Sequence, residues 1–303
     1  MAKNIITHLS KRQCIIGYGM AVLAAVGFSA KAILVKLAYV EPVDAVTLLA
    51  LRMLFSAPFF LLVAIRHAWQ KNLSPLRGKD YLLLLLLGVS GYYLSSLFDF
   101  IGLQYISAGL ERLILFLYPT FVVLLSALFL GKPFGRKEII ALLLSYSGIA
   151  AVFYDQLGIQ SANLWLGAGF VFGSTLTYSF YLIGAGQAIA RIGVSRFTAY
   201  AMLVACVATL LQFVLTHPLQ LLHTSMRVYQ LSLLMAIFST VLPVFMLSAA
   251  IRLIGSSHTS LVGSIGPVAT LFMATVILDE HLTVLQIGGA ALVMTGVLSL
   301  TLK

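Results

Sequence analysis

The chain has 303 residues, 61% of them hydrophobic and only 9% charged, with a mean hydropathy of +1.04. A soluble domain carries roughly 25% charged residues, so this composition excludes a water-soluble fold and makes lipid the solvent. The formal net charge of +10 would suggest a nucleic-acid partner in a soluble chain; in a membrane chain it is read by position, and no nucleic acid is expected.

A helix that crosses the roughly 30 Å hydrocarbon core needs about 20 mostly apolar residues. Ten segments qualify: 15–38, 45–65, 81–103, 108–130, 137–154, 164–185, 197–216, 229–251, 257–278 and 283–301. Lipid leaves no partner for an open backbone, which makes them helices, and the alternation of barrel strands is absent. Before the first segment, Met1 to Gln13 is a short basic leader without a signal-peptide cleavage site. Cys14 and Cys206 sit in or beside apolar segments and read as packing residues, with neither disulfide nor metal spacing.

Taken in order, the segments carry few polar side chains, and each bears on function. Lys31 and Lys36 lie in the first, Arg52 in the second, Tyr92, Ser96 and Asp99 in the third, Glu111 and Arg112 in the fourth. Ionisable groups within a membrane are functional candidates. Lys31 either snorkels outward or faces a cavity and meets a substrate anion, whereas Lys36, nearer the interface, is expected to snorkel. Asp99 stands seven residues before the turn near Ile106 and Arg112 six after it. At about 1.5 Å per residue the two share one depth, roughly 10 Å from the turn, which predicts an ion pair that is structural or a gate, with Glu111 competing for Arg112.

Helical spacing places Tyr92, Ser96 and Asp99 on one face, Ser174, Tyr178 and Tyr181 on another, and Ser257, Ser260 and Ser264 on a third, with Thr240 on the eighth segment. These faces either line a binding cavity or pack helix on helix. Gly167, Gly169 and Gly173 read as close-packing positions. No GxSxG, HExxH, P-loop or GxGxxG motif sits in a suitable context, so neither an enzyme nor a cofactor is expected.

The stretch from Gly102 to Ala151 lies without a gap on Ala250 to Ser299 when shifted by 148 positions. Pro119 falls on Pro267, Leu130 on Leu278, Gly131-Lys132 on Asp279-Glu280, Ser147 on Thr295 and Gly148 on Gly296. One offset for proline, polar break and closing glycine indicates duplication of a unit of about 150 residues. The domains are then 1–154 and 164–303, each of five helices, joined by a linker at 155–163.

An N-terminus inside the cell puts Lys3, Lys11, Arg12, Arg66, Lys71, Arg77, Lys79, Lys132, Arg136, Lys137, Arg191, Arg196, Arg252 and Lys303 on inner segments, and only Arg227 on outer loops. That split satisfies the positive-inside rule and places both termini in the cytoplasm. Five helices per unit is odd, so the second unit enters from the opposite face. The fold class is an all-α membrane protein, ten transmembrane helices as two inverted five-helix repeats, a plan of secondary transporters.

The arginine in Val46-Thr-Leu-Leu-Ala-Leu-Arg52, the Tyr118-Pro119 through Gly131 and Ile265-Gly-Pro267 through Leu278-Asp-Glu280 stretches, and the closing Thr295-Gly296 resemble the ten-helix, EamA-type branch of the drug/metabolite transporter superfamily. Glu280 matches the glutamate that often follows the family's ninth helix; Lys132 replaces its counterpart in the first half. The resemblance implies a bacterial cytoplasmic-membrane exporter of amino acids or other small metabolites, with a central cavity lined by helices 1, 3, 4, 6, 8 and 9.

The resulting expectation is a small-molecule exporter working by alternating access in the lipid bilayer, amino acids foremost, its oligomeric state left open. Substrate contacts are expected from Lys31, Tyr92, Ser96, Asp99, Ser174, Tyr178, Tyr181, Thr240, Ser260 and Ser264, with Arg52, Glu111 and Arg112 as gating or structural ion pairs. Two other readings use the same residues: transport of phosphorylated or nucleotide-linked anions or of drugs, and a non-transporting receptor or assembly factor. With Asp99–Arg112 closed and Lys36 snorkelled, Lys31 and Arg52 remain against Glu111, a surplus of about one positive charge that favours carboxylate-bearing cargo.

Overall fold

A computed structural model of the chain describes residues 11–70, 75–131, 135–157, 163–263 and 265–301. Among the described residues there is no strand, and the helices are α1 (Lys11–Ala38), α2 (Ala45–Ala68), α3 (Gly78–Leu103), α4 (Ala108–Phe129), α5 (Arg136–Leu157), α6 (Leu164–Ile192), α7 (Val194–Thr216), α8 (226–263), α9 (Ile265–Leu278) and α10 (Val284–Thr301). Seven carry stretches long and apolar enough to cross a membrane; α5, α9 and α10 are shorter apolar helices. Leu62, Leu128, Leu143 and Leu215 are among many large apolar side chains left exposed on the bundle, as a protein solvated by lipid requires.

Local chemistry sets the helix ends. Asp44 starts α2 by accepting from the Val46 and Thr47 amides at 2.8 and 3.0 Å, and Asp80 in the first turn of α3 accepts from the Arg77 amide at 2.7 Å. Ser107 caps α4 through the Leu110 amide at 3.2 Å. Each cap satisfies donors that the first helical turn leaves open.

The two halves repeat one another in detail. A π-helical turn interrupts α3 at Val89–Leu94 and α8 at Ile237–Val241, starting 148 positions apart. Left-handed backbone at Gly131 and Asp279 ends α4 and α9, again 148 positions apart. α1 packs on α8 and α9, while α6 packs on their mates α3 and α4. At the α5–α10 crossing, a Cβ on Gly148 would lie 2.5 Å from the Gly289 oxygen, and one on Gly296 would lie 2.7 Å from the Ala141 oxygen. Position 141 is the mate of 289 and 148 the mate of 296, so this contact and its copy coexist, as a local two-fold relation demands.

The halves differ where a cap is missing. The expected boundary between segments ending at 251 and starting at 257 is not a break: helix continues from Leu242 to Gly263. The mate of the capping Ser107 is Gly255, which has no side-chain oxygen to start a new helix, so the old one runs on. Of the three α6 glycines expected to pack closely, Gly167 lies against Tyr105 and the Gly102 oxygen and Gly173 against Phe98, but nothing stands within 4 Å of a Cβ on Gly169.

These contacts predict a contrast. Alanine is the better helix former at both sites, so Gly169→Ala should leave the melting temperature of purified protein unchanged or raised. Gly148→Ala should destabilise by about 1–3 kcal/mol through backbone collision. Equal melting curves for the two variants would contradict the crossing.

Candidate functional site

Charges inside lipid must be answered inside the protein, and the described residues show how. Lys31 on α1 donates to Asp99 Oδ2 on α3 at 2.5 Å and stands 3.4 Å from Glu111 Oε1 on α4. Asp99 and Glu111 are 1% and 0% exposed, while the Lys31 side chain keeps 17%. One ammonium therefore serves two buried carboxylates, and its own face is the accessible part of the cluster. Among the described residues, Asp99 Oδ1 and both Glu111 oxygens have no hydrogen-bond partner.

The anticipated Asp99–Arg112 pair is not formed. Equal depth is satisfied, but direction decides: consecutive residues point about 100° apart on a helix. Glu111 turns to Lys31, and Arg112 turns to α1 and α9, where Nη2 donates to Ser29 Oγ at 3.3 Å. Ser29 in turn donates to the Gly266 oxygen at 2.9 Å. A Cβ on Gly266 would collide with the guanidinium, so the glycine lets Arg112 lie on the start of α9.

Lys36 does not snorkel. It donates to the Leu103 and Ile106 oxygens at 3.2 and 3.1 Å, answering carbonyls left open where α3 ends. Arg52 is 6% exposed. Its Nε donates to Thr240 Oγ1 at 3.0 Å, and its guanidinium lies 5.3 Å from the centre of the Phe100 ring. The expected acid or carbonyl partner is replaced by a hydroxyl and an aromatic face.

The π-turns place the next layer. Tyr92 sits in the first, its hydroxyl 2.8 Å from that of Tyr181, and Thr240, its repeat mate, sits in the second. On α3 it is Ser95 rather than Ser96 that meets Ser174, hydroxyl to hydroxyl at 3.0 Å. Tyr178 stacks on Tyr181 with centroids 5.5 Å apart and meets Tyr118 edge-on at 5.6 Å. The side chains of Ser257, Ser260 and Ser264, and that of His258, lie outside the described residues.

Several contributors stand outside the expected site residues. α4 is interrupted at 116–117 and resumes at Tyr118 with Pro119 in the new first turn; proline has no amide hydrogen to continue the ladder. Thr175 and Ser179 of α6 donate to the Ile114 and Tyr118 oxygens, each at 3.2 Å. Glu280, just past α9, accepts from the Ala108 and Gly109 amides at 2.9 and 3.3 Å. Its carboxylate thus caps α4 across the two halves, where charge and helix dipole agree. The paired proline and polar break were the sequence signals for the last two.

The geometry predicts coupling between Lys31 and Asp99 and none between Asp99 and Arg112. Removing one partner of a buried pair costs about 3–5 kcal/mol. Asp99→Asn should therefore destabilise strongly in the native background and much less in Lys31→Met, while Asp99→Asn and Arg112→Gln should add. Thermal unfolding of the four-member cycles would expose the reverse pattern.

Comparisons agree along the whole length. The profile of the EamA-like transporter family matches residues 15–154 and 165–302. The Bacillus subtilis (strain 168) protein named Uncharacterized transporter YcbK is 29% identical over 297 residues, 94% of this chain and 93% of that one. Uncharacterized transporter YyaM of the same organism is 24% identical over 250 residues, 81% of this chain and 80% of its own. A solved crystal structure superposes with a TM-score of 0.62 at 16% identity, covering 96% of this chain and 97% of that one, a likeness of fold.

Proposed function

The chain belongs to the EamA-like transporter family, and from that premise we propose that it exports small metabolites, amino acids foremost, across a bacterial cytoplasmic membrane by alternating access. In this reading all ten helices cross the bilayer as two inverted repeats, with both termini in the cytoplasm. The observation that carries it is the Lys31–Asp99–Glu111 cluster, which gathers three charges from α1, α3 and α4 where lipid would penalise each alone. A protein with only a scaffolding task gains more from apolar packing at such a position. The matched π-turns and the crossing of α5 on α10 support two similar halves able to exchange roles about an axis between them.

The charge count behind carboxylate cargo changes its owner. Lys31 is answered by two acids, and Arg52 by Thr240 and Phe100. Among the described residues, the hydrogen bond of Arg112 is to the Ser29 hydroxyl. A carboxylate remains the substrate group that such an interior favours, and a permanent cation the group it repels.

Two measurements test this. In intact cells, a membrane-impermeant thiol reagent should reach Gln160→Cys and miss Lys71→Cys and Lys132→Cys; labelling at position 71 would overturn the topology. In liposomes containing purified protein, a screen of amino acids, phosphorylated sugars and organic cations should show uptake of carboxylate-bearing amino acids and none of quaternary ammonium compounds. Movement of none of these would return the chain to the receptor reading.

A further inference from the structure

We infer that Arg112 is an anion-binding group that takes the carboxylate of the transported metabolite between α1, α4, α6 and α9, with the Tyr118 and Tyr178 hydroxyls as co-donors. This rests on the transport reading above and names the group that meets the cargo.

A guanidinium presents five N–H donors in a planar fork suited to a carboxylate. Among the described residues, Arg112 uses one, the 3.3 Å bond to Ser29 Oγ, and its buried Nε has no partner. The acids that could have closed it are held elsewhere: Lys31 lies between Asp99 and Glu111. Ser29 gives its own hydrogen to the Ala25 and Gly266 oxygens at 2.8 and 2.9 Å, so it is locked as an acceptor toward Arg112 and holds the fork in place.

Tyr118 and Tyr178 supply the second half of the site. Tyr118 follows Arg112 by six residues on α4, and its ring meets that of Tyr178 on α6 edge to face at 5.6 Å. Among the described residues neither hydroxyl has a hydrogen-bond partner, in contrast to Tyr92 and Tyr181, which bond each other at 2.8 Å. Tyr118 opens the resumed part of α4 after the interruption at 116–117, where Ser179 of α6, next to Tyr178, holds the Tyr118 backbone oxygen. An interrupted helix beside a glycine-opened start of α9 is where discontinuous transporter helices meet substrate anions. A carboxylate there would accept from the fork and from two phenols, and the stacked Tyr178–Tyr181 pair offers an apolar wall to the rest of the molecule.

The test titrates purified full-length protein in detergent with acetate, benzoate and L-phenylalanine, and in parallel with acetamide, benzamide and L-phenylalaninamide. Carboxylates should bind at least about tenfold more tightly than the matching amides, the scale of a charged hydrogen-bonded contact. Arg112→Gln should lose that preference, Arg112→Lys should keep part of it because it retains charge without the fork, and Tyr178→Phe should weaken binding severalfold. A second readout needs no variant: phenylglyoxal modification of Arg112, followed by mass spectrometry, should be slowed by benzoate and untouched by benzamide. This decides the matter if Arg112→Gln does not fold.

Equal binding of acids and amides, no binding of any acid, or unaltered binding by folded Arg112→Gln would overturn the site. Amino-acid transport at wild-type rate in Arg112→Gln would overturn it while leaving the transport reading intact. Arg112-dependent carboxylate binding without uptake in liposomes would do the reverse.

Discussion

A charge held in lipid must find its answer within the protein, and the ammonium of Lys31 finds two, drawn from different helices. α1 brings the cation, α3 brings Asp99 and α4 brings Glu111. Buried ion groups of this kind add little net stability against a well-packed apolar alternative, yet removing one member strands the others at high cost. Their effect is to fix position: the three helices cannot slide or rotate past one another without breaking a contact that nothing else replaces. The neighbours follow from that. With Asp99 and Glu111 committed to Lys31, Arg112 must turn to Ser29 and the start of α9.

The same economy governs the backbone. Interruptions in these helices open carbonyls or amides that lipid cannot satisfy, and three of them are closed by side chains from other elements. Lys36 answers the end of α3, Thr175 and Ser179 answer the interruption of α4, and Glu280 answers the start of α4. The π-turns serve inward placement. Each sets one polar group of its repeat, Tyr92 or Thr240, against a partner on another helix, Tyr181 or Arg52. Interruptions are therefore where polar groups collect, and all of these contacts except those of Lys36 join one half to the other.

Much of the frame was legible in the residues because hydrophobic length and repeat offset are one-dimensional properties. The apolar helices, the offset of 148 and the charged positions needed only counting along the chain. Partnerships depend on azimuth, which counting misses. Depth alone matched Asp99 to Arg112, whereas a 100° step on α4 assigned the contact to Glu111 and Lys31. A regular 3.6-residue period leaves Ser95 and Ser96 both near the face of Tyr92, and the contact with Ser174 falls to Ser95. The absent break near 252 follows from a capping oxygen present at Ser107 and missing at its mate, Gly255.

That last difference belongs to a set. Three polar fasteners gather where α3 ends and α4 begins: the Ser107 cap, the Lys36 bonds to α3, and the Glu280 carboxylate on the α4 amides. Shifting each by the repeat offset gives Gly255 for Ser107, Gly184 for Lys36 and Lys132 for Glu280. None of the mates can do the same work: two are glycines, and a lysine cannot accept from amides or favour the positive end of a helix dipole. Each such contact contributes about 1 kcal/mol, more where a charge takes part. Two halves that are alike in backbone are thus unlike in what holds their ends. Fasteners gathered at one end hold the join of α3 to α4 with polar contacts that the repeat mates cannot supply.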